Sequence, residues 1–346
     1  MKRKTLCIIG HFGFGMELLN GQTIKTKIIA NELEKQLGID EIVKIDTYNG
    51  KRKIIKLFFQ VKRAMKYCRN VAILPATNGL FFFAPLLCFL KKIYKTKIDY
   101  IVIGGWLVDF LKKQKYMQKI LKKFNGIYVE TFTMKEQLEK MGFSNIYIMP
   151  NCKQLNILQN EELVFSNVEP LKLCTFSRVM KEKGIEEAIE AVKSVNQKLN
   201  RKAFILDIYG QIDVNQKKWF ENLQNNFPSY IKYKGEISFF DSTKVLKTYY
   251  AVLFPTYYKG EGFAGTIIDA MAAGVPVIAS DWKYNAEIIE NNITGIIVRK
   301  NESIEEKLLW ILNNKEQWSQ MKERVLIEAH KYLASNVLNL YISNLE

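Results

Sequence analysis

The sequence predicts an α/β protein with two domains, each a parallel sheet covered by helices. Apolar runs of strand length alternate with helical segments along the whole chain, and that order is typical of parallel sheets with covering helices. A length of 346 residues suits two domains of ordinary size. An apolar content of 48% is sufficient for two cores.

The division between the domains is expected near residue 155, where a polar connector follows Pro150-Asn151-Cys152. Residues 1–155 then form the first domain and residues 156–330 the second. Residues 331–346 are expected to form a C-terminal helix that could pack back on the first domain.

Each domain is expected to hold six strands, because six short apolar runs occur in each half. The first half has them at 5–10, 42–46, 71–75, 98–103, 126–129 and 146–149, with helices near 21–37, 51–68, 81–95, 107–124 and 133–141. The second half has them at 171–177, 203–209, 231–234, 251–254, 275–279 and 295–298, with helices near 184–199, 214–227, 240–249, 266–273, 284–291 and 303–342. Open parallel sheets bind ligands beyond the carboxyl ends of their strands, so functional residues are expected there.

The strongest functional signal lies in residues 260–280, where a glycine-rich turn joins a buried strand to a helix of small residues. Glycines allow the turn to approach a ligand closely, and they stand at positions 260, 262 and 265. The helix is expected to begin near Thr266 and to end at Gly274, which suits a left-handed cap before Pro276. Free amides at the helix start and the helix dipole both favour an anion.

Two carboxylates flank this turn. Glu261 lies on the loop, and Asp269 is expected in the first helical turn, where it can accept hydrogen bonds from ligand hydroxyls. Glycine-rich turns and first-turn acids also occur without a ligand in doubly wound α/β proteins, so a purely structural role is the alternative.

Two cations follow the first strand of the second half. Arg178 and Lys183 can bracket a diphosphate, because a guanidinium offers a planar fork and an ammonium a point charge. The alternative is a pair of solvated loop cations.

A second glycine-rich loop, residues 10–15, follows the first strand of the chain. The order of its glycines excludes the Gly-x-Gly-x-x-Gly dinucleotide fingerprint. His11 in this loop is either a structural hydrogen-bonding residue or a part of the site.

Residues 261–269 resemble the glutamate–seven residues–glutamate motif of retaining glycosyltransferases of family 4, which have the two-domain GT-B fold. Glu261 matches the first acid, and Asp269 stands in place of the second with a carboxylate one methylene shorter. The usual Glu-Gly-Phe-Gly start is Glu-Gly-Phe-Ala here, with the glycine displaced to Gly265. Many relatives also carry a histidine near the transferring sugar, and residues 103–106 have none at the corresponding strand end.

The resemblance implies two Rossmann-like domains whose parallel sheets face each other across a cleft. It implies a catalytic set in which Glu261 holds the donor sugar while Arg178 and Lys183 bind the diphosphate. The implied donor-binding residues are Gly13, Gly15, Ser177, Gly210, Glu236, Ile237, Gly262, Phe263, Ala264, Gly265, Thr266 and Asp269, the last at the ribose. His11 and Trp106 are the candidates for contact with the acceptor.

The implied activity is a retaining transfer of a sugar from a nucleotide sugar, a uridine diphosphate sugar, to a lipid-linked saccharide. Such a step belongs to the biosynthesis of a surface polysaccharide such as a capsule. No cofactor and no metal are expected, and the sequence contains no Asp-x-Asp pair. The departures from the motif leave two alternatives, a non-catalytic sugar-nucleotide-binding or scaffold protein and a sugar-nucleotide epimerase of the same shape.

Charge is unevenly distributed along the chain. Residues 1–155 contain 28 Lys and Arg against 11 Asp and Glu. The cations are interleaved with apolar and aromatic residues in 51–63 and 80–95, a pattern that favours an anionic membrane surface as partner. For 80–90 the alternative is a buried helix with a solvated cationic rim. No nucleic-acid-binding motif is recognisable, so nucleic acid is not expected as a partner.

The expected location is the cytoplasm, peripheral on the inner face of the cell membrane. No apolar run reaches the ~20 residues that a spanning helix needs, and the apolar part of the N-terminus is too short for a signal peptide. The five cysteines are scattered and lack metal-type spacing, which indicates a reducing compartment and no structural zinc.

Overall fold

The computed structural model describes residues 3–16, 21–165, 168–238 and 241–345. The chain divides into two compact units. The first contains Met1–Gln154 together with Tyr332–Glu346, and the second contains Leu155–Lys331.

Each unit is built on one parallel sheet of six strands, as predicted. In the first unit the strands are β1 Lys4–Gly10, β2 Ile42–Asp46, β3 Cys68–Ile73, β4 Lys97–Ile101, β5 Gly126–Val129 and β6 Ile146–Ile148. In the second unit they are β7 Leu171–Phe176, β8 Phe204–Tyr209, β9 Ile231–Gly235, β10 Ala251–Phe254, β11 Val277–Ser280 and β12 Gly295–Val298. The order across the sheets is β2-β1-β3-β4-β5-β6 and β12-β11-β10-β7-β8-β9. The central strands are buried on both faces, which explains why they read as continuous apolar runs.

Helices connect and cover the strands. In chain order they are α1 Gly21–Leu37, α2 Ile54–Tyr67, α3 Thr77–Lys91, α4 Leu107–Lys113, α5 Lys115–Leu121, α6 Phe132–Lys140, α7 Ile185–Lys198, α8 Lys217–Gln224, α9 Ser242–Leu246, α10 Gly265–Ala272, α11 Asn285–Ile288, α12 Ile304–Asn313, α13 Lys315–Ala329 and α14 Ala334–Ser343.

The strand order fixes the face on which each helix lies, because crossovers between parallel strands are right-handed. In the first sheet α1 covers one face, while α2 and the helices up to α6 cover the other. The last helix, α14, packs against α1, and on the opposite face α2 contacts α3 and α3 contacts α5. In the second unit α12 packs on α7, and α13 packs on α10.

Several helices are shorter than the sequence predicted. The helix expected at 303–342 is three helices, interrupted at Asn314 and by the 3-10 turn His330–Tyr332. The helix expected at 107–124 breaks at Gln114, whose φ of −122° and ψ of 71° are not helical. The helix expected at 240–249 is reduced to α9, and residue 240 lies outside the described residues.

No helix within the described residues is long and apolar enough to cross a membrane.

Candidate donor-binding site

The strands β10, β7, β8 and β9 are neighbours, so their carboxyl ends meet at one edge of the second sheet. The segments that follow these strands carry nearly all of the residues assigned to the donor, in 177–184, 210, 236–237 and 256–269. Residues that are up to 92 positions apart in the sequence therefore lie at the same edge of the second sheet.

The centre of this edge is an ion pair between Lys183 and Glu261. The Lys183 Nζ atom lies 2.5 Å from Glu261 Oε2, and the two side chains are only 12% and 10% exposed. Hydrogen bonds between opposite charges are roughly twice as strong as neutral ones, so each group fixes the position of the other. The cation expected at the diphosphate and the acid expected at the sugar thus meet at one point.

Thr256 and two aromatic rings complete the surroundings of the ion pair. Thr256 Oγ1 lies 3.0 Å from Glu261 Oε2. The Lys183 ammonium lies 5.3 Å from the ring centroid of Phe254 and 5.2 Å from that of Tyr258. Thr256 was not among the predicted site residues, although a polar residue two positions beyond the end of a buried strand was a signal that could have identified it.

Two glycines allow the loops at this edge to approach each other. Gly184 has a φ of 73°, and a Cβ atom there would lie 2.2 Å from the carbonyl oxygen of Pro255. Gly210 has a φ of 132°, and its Cβ atom would lie 1.8 Å from the carbonyl oxygen of Ser177. Only glycine fits such positions, so the loop that carries Lys183 is held against the loops after β10 and β8.

Arg178 lies outside the buried ion pair. Its side chain is 53% exposed, and Nη1 is 3.6 Å from Asp213 Oδ2. That distance is beyond a hydrogen bond, and exposed pairs contribute little to stability. The Arg178 charge is therefore accessible at the edge of the site.

The turn after Glu261 ends in the N-terminus of α10. Phe263 and Ala264 are buried, and Ala264 occupies the cap position without a capping side-chain hydrogen bond. The first amides of a helix, here those of Gly265 and Thr266, have no acceptor within the helix. The Thr266 hydroxyl donates to the carbonyl oxygen of Phe176 at 2.6 Å, which ties the helix start to the end of β7. The amides of Gly265 and Thr266 thus lie four and five residues beyond Glu261, at the same edge of the sheet.

Asp269 is not in the first helical turn, contrary to the prediction, because α10 already begins at Gly265. It lies in the second turn and is 5% exposed. The Ser242 hydroxyl donates to Asp269 Oδ1 at 3.4 Å, so the carboxylate is directed toward α9.

The ends of β8 and β9 are joined by hydrogen bonds. Gly210 donates its amide to Gly235 at 2.9 Å, and the Tyr233 hydroxyl donates to the Gly210 carbonyl oxygen at 2.9 Å. Glu236 is exposed and Ile237 is half-buried immediately after this junction.

The glycine-rich loop after β1, residues 11–16, belongs to the first unit. Asp46 at the end of β2 holds this loop in place. The Asp46 carboxylate accepts backbone hydrogen bonds of 2.9 to 3.1 Å from residues 12, 13, 14 and 48. Burial alone would raise the pKa of Asp46, but these amides outweigh it and the pKa is lowered. The amide of Gly13, assigned to the donor, is therefore already bonded to a carboxylate of the protein. Gly15 follows with a φ of 80°.

The two acceptor candidates also lie in the first unit, after β1 and β4. His11 Nδ1 is 2.7 Å from Thr23 Oγ1, and its ring packs edge-on against Tyr48 with centroids 5.5 Å apart. Trp106 Nε1 donates to the carbonyl oxygen of Ile103 at 3.0 Å. Both rings are half-buried at the carboxyl edge of the first sheet.

Across the described residues, no group of three or more His, Cys, Asp or Glu side chains is arranged to hold a metal ion.

Comparison with known proteins connects this edge to a family. Residues 159–326 match the family described as glycosyl transferases group 1. That segment contains the Lys183–Glu261 pair and α10.

Two curated relatives resemble the chain in sequence. The GtfA subunit of UDP-N-acetylglucosamine–peptide N-acetylglucosaminyltransferase from Streptococcus agalactiae is 31% identical over 49% of this chain and 32% of its own length. The capsular polysaccharide biosynthesis glycosyltransferase CapM of Staphylococcus aureus is 28% identical over 58% of this chain and 50% of its own. The chain spans about half, or less, of the length of the curated relatives it matches.

Among solved structures, HepE of Anabaena in complex with UDP matches with a TM-score of 0.76 at 12% identity, covering 100% of this chain and 99% of HepE. The likeness establishes the GT-B fold that the sequence predicted. The family match lies within the second unit, and the likeness to HepE concerns the fold alone.

Proposed function

We propose that the protein transfers a sugar from a uridine diphosphate sugar to a lipid-linked saccharide, with retention of configuration and without a metal ion. The observation that carries the proposal is the buried Lys183–Glu261 pair beside the N-terminus of α10. This arrangement offers a cation and free amides to a diphosphate, and a carboxylate to sugar hydroxyls, at one edge of one sheet.

Charge stabilisation at the leaving group is the main catalytic contribution in this proposal. The negative charge on the diphosphate increases as the bond to the sugar breaks. Lys183 and the α10 amides are held in place before the reaction, whereas Arg178 is exposed and can close on the outer phosphate. Preorganised donors of this kind stabilise a transition state more than a ground state.

The proposed chemical step occurs on a single face of the sugar. The acceptor hydroxyl attacks the anomeric carbon from the side on which the diphosphate departs, which retains the configuration. A new carbon–oxygen bond forms as the old one breaks, and the departing phosphate oxygen takes the bonding electrons and then the acceptor proton. Glu261 holds the sugar hydroxyls and the Lys183 ammonium during this exchange.

The acceptor class and the location are part of the same proposal. CapM is named for capsular polysaccharide biosynthesis, and we propose a lipid-linked saccharide as the acceptor of this chain. A cytoplasmic enzyme that is peripheral on the inner face of the membrane could reach such an acceptor. His11 and Trp106 are the proposed contacts to it.

A peptide acceptor is the second candidate, because one relative is named as a peptide N-acetylglucosaminyltransferase subunit. The same donor site would serve either acceptor, so the two candidates differ only in the first unit.

The test is incubation of the purified chain with a panel of UDP-sugars, in the presence of membrane lipid extract, a serine-rich peptide or no acceptor. We expect sugar transfer to the lipid fraction, retention of configuration by NMR, and no loss of activity in EDTA. Glu261→Ala should lower the rate at least about 100-fold, whereas the exposed control Glu221→Ala should not change it. Donor consumption without acceptor would indicate an epimerase, and binding without consumption a scaffold protein. Absence of transfer to either acceptor would reject the transferase proposal.

A further inference from the structure

The segment from residue 47 to residue 98 contains no Asp or Glu but has twelve Lys and Arg. It includes α2, β3 and α3. Among the described residues, no ion pair involves the α2 cations Lys56, Lys62 or Arg63. All three side chains are exposed to solvent.

The solvent-facing side of helix α2 forms a stripe that is apolar in the first half of the helix and positively charged in the second half. In its first half the stripe is apolar and strongly exposed, with Ile55 73% and Phe59 62% exposed, accompanied by Ile54 and Phe58. One turn further on, the same stripe carries Lys62 and Arg63, both exposed. The inner side, with Leu57 and Val61 among its residues, is buried against the sheet. Four large apolar side chains thus face water although the helix already has a buried apolar side.

Helix α3 extends this surface, since it lies beside α2 on the same face of the sheet. It has no charged residue before Lys91 and exposes Phe81 and Phe89. Ile93 and Lys92 follow it and are also exposed. We use the name α2–α3 surface for the exposed apolar residues Ile54, Ile55, Phe58, Phe59, Phe81, Phe89 and Ile93.

The α2–α3 surface leads to the acceptor candidate Trp106. The ring of Phe81 packs edge-on against Phe110 with centroids 5.3 Å apart, and Phe110 packs against Trp106 at 5.4 Å. All of these residues belong to the first unit. The aromatic surface is therefore continuous from α3 to the carboxyl edge of the first sheet.

From these observations we infer that the α2–α3 surface binds an anionic lipid bilayer, with the first half of α2 inserted among the lipids. Exposed apolar side chains next to exposed cations match a membrane whose interior is apolar and whose headgroups are negative. Nucleic acid would match the cations but not four adjacent exposed apolar groups. The role of this surface in catalysis rests on the proposed function, since the bilayer is the partner that would present a lipid-linked acceptor beside Trp106.

The experiment is vesicle cosedimentation with the full chain. Vesicles contain either phosphatidylcholine alone or phosphatidylcholine with phosphatidylglycerol. We expect at least about tenfold tighter binding to the anionic vesicles, weakened by added salt because exposed charges are screened. Equal binding to both vesicles, or binding to neither, would overturn the inference.

Variants assign the binding to the surface. The double variant Ile55→Ser with Phe59→Ser should lose at least about tenfold in affinity for anionic vesicles. The double variant Lys62→Ser with Arg63→Ser should lose roughly 25-fold, since each cation near an anionic membrane contributes ~1 kcal/mol. The matched controls are Ile327→Ser, at a site 67% exposed on α13, and Lys218→Ser on α8, and both should bind like the wild type.

Two outcomes separate this inference from other occupants and from the proposed function. If the wild type ignores vesicles but forms a dimer that Ile55→Ser with Phe59→Ser dissociates, the surface contacts a second copy and the lipid inference is wrong. Glu261→Ala should abolish transfer and leave vesicle binding unchanged. A chain that binds anionic vesicles but transfers no sugar would reject the proposed function alone.

Discussion

Lys183 and Glu261 belong to loops that follow two different strands, and their pairing could not be read from the order of residues. The sequence identified each of them separately, because a cation after β7 and an acid before α10 both stand where ligands bind. It did not predict that they share a hydrogen bond of 2.5 Å. Contacts made by tertiary packing have no periodic signature, and for the same reason the role of Asp46 in the loop 11–16 was missed.

The buried ion pair leads to a prediction about stability that is independent of any substrate. Lys183→Ala leaves the Glu261 carboxylate with little exposure and without its cation, so we expect a loss of about 3 kcal/mol in the free energy of unfolding. The double variant with Glu261→Ala removes the uncompensated charge and should be more stable than Lys183→Ala alone. Urea unfolding of the four members of the cycle measures this. A double variant no more stable than the single one would contradict the prediction.

A second prediction compares two glycines at neighbouring strand ends. Gly210 and Gly235 both have positive φ, 132° and 80°, so alanine at either position should cost at least about 1 kcal/mol of backbone strain. Only at Gly210 does the new Cβ atom meet another atom, 1.8 Å from the Ser177 carbonyl oxygen, while nothing lies within 4 Å at Gly235. Gly210→Ala should therefore lose roughly 2 kcal/mol more than Gly235→Ala in urea unfolding. Equal losses would show that the loop containing Ser177 moves away from the new Cβ atom at little cost in free energy.

At the scale of elements, the strands were the most predictable part and the helix ends the least. The strands β2, β5, β10 and β12 begin and end at the predicted residues. For β5 and β10 the reason is that a strand buried on both faces is apolar throughout. The predicted helix at 303–342 is interrupted at Asn314, where the chain turns out of helical conformation within a continuous helical pattern. Periodicity reports which residues face the core and does not report a local break of this kind.

The junction of β4 with α14 is expected to respond to pH. Asp99 in β4 is 5% exposed, and burial raises its pKa to about 7 despite the opposing influence of Lys97, Lys91 and the Gly126 amide. The group faces Tyr341 of α14. In the unfolded chain Asp99 releases its proton near pH 3.8. Its contribution to stability is therefore fully present below that pH and is lost as the pH rises to about 7.

Asp99→Asn tests this assignment, because asparagine keeps the shape of the side chain and does not titrate. Relative to the variant, the wild type should lose about 1 kcal/mol per pH unit between pH 5 and 7, and the difference should level off above about 7.5. Both histidines are present in both proteins, so their titration cancels in the difference. A constant difference from pH 5 to 8 would place the pKa of Asp99 near its ordinary value.

At the scale of the whole molecule, the chain leaves its first unit near residue 154 and returns to it at Tyr332. The last helix, α14, packs on α1, although some 300 residues separate them. Loss of this packing should weaken the first unit and leave the second intact, because each unit has its own sheet and core.

Leu338 and Leu340 allow that expectation to be tested within one helix. Leu338 is fully buried, whereas Leu340 is 48% exposed. Leu338→Ser should destabilise by about 3 kcal/mol through lost apolar contact and a buried hydroxyl, and Leu340→Ser by less than about 0.5 kcal/mol. In hydrogen exchange followed by mass spectrometry, Leu338→Ser should speed exchange in β1, β4 and α1 while β7, β8 and β10 stay protected. Equal acceleration in both sheets would mean that the two units unfold as one cooperative body, and the division at residue 154 would then describe geometry without independent stability.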